Sequence, residues 1–186
     1  SHVESGTKIF EKVTEMCVEY VADLPNPDKK VVEFASPAII TKAFADIGCT
    51  LDLSEGSPVD ESALIKACEL ALQYSVRTSH PRFMNQLYGR TDPAGLAGEM
   101  VSTVSNTCSF TFEVAPVYTM IERICIKKVL SMIGFTKGEG IFVAGGSMAN
   151  LYGLHVARFF KFPEVKKLGY AGLPRLVAFV SAGCHY

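Results

Sequence analysis

Excess charge is almost absent from this sequence: 18 basic and 19 acidic residues leave a formal net charge of −1. That excludes the broad basic surface with which a chain holds nucleic acid or an anionic membrane. Long apolar runs are absent too, and a bilayer span needs about 20 consecutive apolar residues. There is no low-complexity tract and no internal repeat, so solenoids and disordered linkers are excluded. No CxxC spacing occurs: Cys17, Cys49, Cys68, Cys108, Cys125 and Cys184 are widely scattered. They read as reduced, mostly buried thiols of a cytoplasmic protein rather than as a disulfide framework. His2, His80 and His155 show no ligand spacing with His185, so no metal is expected. The opening Ser1-His2-Val3-Glu4 lacks the charged and apolar regions of a secretory signal, which reads as a cytosolic protein or a chain cut upstream.

What is present is a globular composition, 48% hydrophobic and 20% charged over 186 residues, enough for one domain with a real core. Ile9, Val13, Met16, Cys17, Tyr20 and Leu24 recur at helical spacing, and Pro25-Asn26-Pro27 ends that helix. A short helix is expected after Ser36-Pro37. Another is expected from Ser57-Pro58, an N-cap followed by proline, with Leu64, Cys68, Ala71 and Leu72 as its buried stripe. Further helices are expected from Pro93 toward Val104 and from Pro116 to a stop at Gly134. Beyond Gly134 the texture changes. Ile141 to Ala144 and Leu176 to Val180 are short apolar runs flanking a helix opened by Ser147, which is how a buried parallel sheet reads. The expected fold class is therefore α/β: a helical region over 1–110, then the start of an α/β domain over 111–186.

Three segments carry candidate chemistry. Gly145-Gly146-Ser147-Met148 offers backbone N–H groups and a hydroxyl at a helix N-terminus, an anion site favoured by the helix dipole. It is neither a P-loop nor a GxGxxG fingerprint, and an ordinary glycine turn with a serine N-cap is its plain alternative. His185 follows the second expected strand beside Cys184. Two parallel strands open their turns on one sheet edge, so His185 and Ser147 are expected to face one crevice. There a neutral imidazole can stack on a flat ring or carry protons. A phosphate-bearing aromatic cofactor suits that pair. A Cys184–His185 nucleophilic couple does not, because neighbours on an extended chain point to opposite sides. The third segment, His80 to Tyr88, packs an imidazole, a guanidinium, two amides and two aromatics into one loop. Gln86 is its expected ligand contact and Arg82 a structural residue. Ser109 to Glu113 reads as core packing.

Taken in order, these segments resemble the N-terminal part of the group II pyridoxal-phosphate-dependent amino-acid decarboxylases. Within that group they are most similar to the acidic branch, which acts on glutamate, cysteine sulfinate and aspartate. The likeness rests on Val76-Arg77-Thr78-Ser79-His80-Pro81-Arg82-Phe83-Met84-Asn85-Gln86-Leu87 and Thr111-Phe112-Glu113-Val114-Ala115-Pro116. It continues through Gly138 to Phe142, Gly145 to Asn150 and Cys184-His185-Tyr186. The resemblance implies the large domain of a fold-type I transferase over 111–186 and a dimerisation and substrate-loop region over 1–110. It implies pyridoxal 5'-phosphate as cofactor, held by Gly146, Ser147 and Met148 with His185 stacked on its ring. Gln86, Leu87 and Tyr88 would line the pocket for an acidic amino acid, in a homodimer. Ala149, Gly183 and Tyr88 depart from the residues common in the family, and Asp92 to Gly98 leans toward cysteine sulfinate decarboxylases. The family's cofactor-bearing lysine lies downstream of the position of His185. On that basis the chain is expected to be an incomplete portion of an enzyme, inactive alone. The alternative is a short product that acts as an interaction partner.

Overall fold

The computed structural model describes residues 2–50, 60–85 and 87–185. The expected cap at Ser57 therefore lies outside the described residues. The chain divides into two compact units, Ser1–Ser105 and Asn106–Tyr186.

The first unit holds four helices: α1 (His2–Asp23), α2 (Pro37–Asp46), α3 (Glu61–Tyr74) and α4 (Pro93–Ser105). Local chemistry accounts for their ends. Ser36 caps α2 by accepting from the Ile39 N–H, with proline in the first turn. Asp60 caps α3 by accepting from the Ala63 N–H at 2.7 Å. The Asp92 carboxylate does the same at the start of α4, taking the Gly95 N–H at 2.7 Å. After α1, Asn26 donates its side-chain amide to Asp23 Oδ1 at 2.8 Å and its N–H to the Asp23 carbonyl, which turns the chain at the prolines.

α3 packs on α1 and on α2. Of the expected stripe, Cys68 and Leu72 are half-buried. Ala63 is buried and Ala67, Leu70 and Tyr74 are half-buried, at spacings of 4, 3 and 4 residues, whereas Leu64 and Ala71 are exposed.

The same unit contains a polar anchor. Arg77 Nη1 donates to the Asp23 carbonyl at 2.9 Å and to Asp23 Oδ2 at 3.0 Å, and the guanidinium lies 5.3 Å from the centre of the Tyr20 ring. Burial pushes the Tyr20 phenol up, with Arg77 opposing. The bond from Asn26, then that from Arg77, holds the Asp23 carboxyl below the usual carboxylate range. A lowered folded-state pKa contributes stability that is complete above the unfolded value near 4 and is lost as pH falls through the folded value. We expect the Arg77 anchor to loosen only below about pH 4, with Asp23→Asn abolishing that acid transition. Amide exchange at residues 77–80 across a pH series checks it.

The second unit holds α5 (Pro116–Met132), α6 (Gly146–Lys161) and the short α7 (Val165–Leu168). Proline starts α5 and Gly134, at φ +89°, ends it. The two expected strands do not form: the described residues contain no β-strand, and both 141–144 and 176–180 are irregular. A strand exists only when neighbours pair its backbone, and that pairing is non-local. Ser109 to Glu113 is likewise not core, since Phe110 is 84% exposed. Four of the six cysteines are exposed and two half-buried; all six are free thiols, so the expectation of burial fails.

Large apolar side chains are widely exposed. The accessible surface is 15461 Å², against roughly 10,500 Å² for two separate compact bodies of these sizes. Leu24, Ala63 and Ala115 are the buried apolar residues among those described, while Ile121 and Ile124 of α5 and Leu154 and Phe159 of α6 stand open. These helix faces carry core-type residues with no cover among the described residues. No helix of the described residues is long and apolar enough to cross a membrane.

Candidate functional site

The site is built on the first turn of α6. Gly145 occupies the N-cap position at φ 90°, ψ 167°, a region open essentially to glycine alone. Ser147 is thus the second helical residue and not the cap, contrary to expectation. The reason lies in the backbone: only Gly145 can make the sharp reversal, and its N–H folds back to the Val143 carbonyl at 2.8 Å. No side chain caps α6. The Ala149 N–H makes the first helical bond, to the Gly145 carbonyl at 3.1 Å. By position, the N–H groups of Gly146, Ser147 and Met148 have no acceptor within the helix. Three donors at the positive end of a 16-residue helix make an anion cradle without any cation. A Cβ built on Gly145 or Gly146 meets no atom within 4 Å, so the space before the turn is open.

His185 comes to this turn from the far end of the unit. Gly146, Ser147, Asn150, Leu151, Leu154 and His185 line one cleft of ≈ 460 Å³. That volume lies within the range of roughly 300–1,000 Å³ typical of small-ligand sites. One wall supplies backbone donors and a hydroxyl, another an imidazole, and Leu151 and Leu154 an apolar floor. The arrangement fits a group with an anionic end and a flat ring. Met148 is not among the lining side chains, so any contribution it makes is through its backbone. Asn150 was not singled out from the sequence; its place one turn along from Gly146 on α6 is the signal that would have found it.

A larger cleft of ≈ 890 Å³ lies between the C-terminal half of α5 and the 134–140 turn, with Arg123, Lys127 and Lys137 on its walls. Those cations are exposed, and no imidazole or helix N-terminus is among the lining residues. The smaller cleft is the chemical one.

The loop residues belong to the first unit. Leu87 is 80% and Tyr88 63% exposed, and Gln86 lies outside the described residues. The Tyr88 ring meets Phe83 edge-on at 6.3 Å. Arg82 donates to the Pro27 carbonyl at 2.5 Å, a structural bond to a backbone oxygen. His80 is 2% exposed and structural as well. Its Nδ1 accepts from the Arg82 N–H at 3.0 Å and its Nε2 lies 3.1 Å from the Lys29 carbonyl. Those partners require the neutral ring with its proton on Nε2. In the second unit, the Glu113 carboxyl is held below its usual range by its own backbone N–H and by Thr111. Among the described residues no cluster could hold a metal ion.

Known proteins resemble this chain along almost its whole length. Acidic amino acid decarboxylase GADL1 of Bos taurus is 36% identical over 186 residues, covering 99% of this chain and 34% of that protein. The cysteine sulfinic acid decarboxylase of Rattus norvegicus is 37% identical over 161 residues, covering 87% of this chain and 31% of that protein. The crystal structure of mouse CSAD superposes with a TM-score of 0.87 at 32% identity, over 97% of this chain and 37% of that one. Its apo form gives 0.88, over 100% and 38%. The chain thus spans about a third of the length of these relatives. Residues 51–186 match the model of the pyridoxal-dependent decarboxylase conserved domain. The chain belongs to the pyridoxal-dependent decarboxylase family.

Proposed function

We propose that the protein containing these residues decarboxylates an acidic L-amino acid (cysteine sulfinate, glutamate or aspartate) with pyridoxal phosphate as cofactor. The observation that carries this reading is the shared cleft of the α6 N-terminus and His185, in a chain of this family. The N–H groups of Gly146, Ser147 and Met148, with the Ser147 hydroxyl, would hold the cofactor phosphate. His185 would stack on its ring. Gln86, Leu87 and Tyr88 would line the pocket for the acidic side group of the substrate. When bound, the cofactor supplies an electron sink for the pair left behind as carbon dioxide departs. The cofactor chemistry also needs a lysine to hold the cofactor and a carboxylate to keep its ring nitrogen protonated.

A homodimer is part of this reading. In the first unit, α1 and α4 flank an apolar groove of ≈ 550 Å³ lined by Phe10, Val13, Cys17, Val21, Leu96 and Met100, a surface suited to a second copy. Six free thiols favour a reducing, cytoplasmic setting.

The test is carbon dioxide release by the full-length protein loaded with cofactor, with cysteine sulfinate, glutamate, aspartate and an aromatic amino acid compared. We expect release from at least one acidic substrate, and negligible release by residues 1–186 alone. Release from the aromatic substrate only would overturn the proposal.

A further inference from the structure

Among the described residues, the Ser79 side chain ties the base of the loop that runs from His80 to Arg90. The Thr91 N–H donates to Ser79 Oγ at 2.9 Å, joining residues twelve apart in sequence. Closing a loop of that length removes conformational freedom that no local turn would remove. The outgoing arm is bolted independently. His80 bridges Lys29 and the Arg82 N–H, Arg82 reaches the Pro27 carbonyl, and the Phe83 N–H returns to the His80 carbonyl at 2.9 Å. At the tip, Asn85 Oδ1 accepts from the Leu87 N–H at 2.8 Å, and Tyr88 rests edge-on against Phe83. Tyr88 thus stands between two supports: an aromatic contact to the bolted arm, and the Ser79 bond three residues further on.

We propose that Ser79 is a positioning residue: its hydroxyl sets where Leu87 and Tyr88 stand, and thereby how tightly the acidic side group of the substrate is held. The proposal rests on the reading of this loop as the substrate-side wall. Ser79 touches no reacting atom in that reading. It acts through the return arm, so its loss weakens substrate binding while leaving the chemical step alone. Interactions made equally with ground and transition state change KM and not kcat.

The experiment uses the full-length holoenzyme as wild type, Ser79→Ala, Ser79→Thr and Thr91→Pro. The last removes the same bond from its donor end. Two quantities are read: amide exchange of the 87–91 segment, and KM and kcat for the preferred acidic substrate. Ser79→Ala should speed exchange and raise KM about three- to tenfold, the range expected for one lost hydrogen bond, with kcat within about twofold. Ser79→Thr keeps the hydroxyl and should restore both. Thr91→Pro should reproduce the KM rise, and decides the matter should Ser79→Ala fail to fold. Unchanged exchange would show that the bond does not hold the loop. Faster exchange with an unchanged KM, or a fall in kcat alone, would overturn the positioning role. If wild-type enzyme releases no carbon dioxide from any acidic amino acid, the decarboxylase reading fails and the positioning role falls with it. The exchange data then report on the tie alone.

Discussion

Replacing His185 with alanine in the full-length protein should weaken cofactor binding about ten- to a hundredfold, the scale of losing one aromatic stacking partner. The expectation follows from the cleft: His185 is the one ring among its described lining residues, which it shares with Gly146 and Ser147 of the α6 N-terminus. Removing the ring leaves the phosphate cradle intact and the flat face of the cofactor uncovered. Titration followed by the cofactor's visible absorption reads the affinity. His185→Phe separates the two roles open to an imidazole. Phenylalanine keeps a flat face, so binding within a few-fold of wild type assigns His185 to stacking. Restored binding with lost turnover assigns it a proton-handling role as well. Wild-type affinity in the alanine variant would remove His185 from the site.

Gly145→Ala should be as damaging from the other wall. At φ 90°, ψ 167° any side chain carries a backbone penalty of about 1–3 kcal/mol. No neighbouring atom would crowd the new methyl group, so the cost is conformational and not steric. The chain escapes it by rotating the turn, which swings the N–H groups of Gly146, Ser147 and Met148 away from a common point. Anion binding at a helix N-terminus depends on that convergence. We expect cofactor affinity to fall about tenfold or more, matching a penalty of 1.4 kcal/mol per decade, with competition by inorganic phosphate weakened in parallel. Cofactor affinity unchanged beside a lowered melting temperature would mean that the turn is structural only.

The helices were legible because their signals are local. Ser36-Pro37, Pro93, Pro116 and Gly134 mark ends observed at α2, α4 and α5. The apolar repeat from Ile9 to Leu24 marks the inward side of α1 except at Cys17, which is exposed: Ile9, Val13, Met16 and Tyr20 are half-buried, and Leu24, just past the helix, is buried. Local signals also misled. Serine after glycine suggested a side-chain cap at Ser147, but the backbone reversal is one that only Gly145 can make, and that displaced the cap by two residues. By sequence His80 is one polar member of a mixed loop. Its burial depends on Lys29, fifty-one residues away, which no spacing could reveal.

Sequence by itself determined the family, the helical segments and the residue types suited to a phosphate and a ring, because each is written in short-range pattern. Only the tertiary structure decided that α3 turns Ala63 and Ala67 inward, that His80 is sealed beneath the loop, and that His185 shares a cleft with Ser147, thirty-eight residues away along the chain. It also decided that the apolar runs at 141–144 and 176–180 are not strands here. Strand pairing and burial are properties of what a segment meets, and side chains written as core remain open where no neighbour covers them.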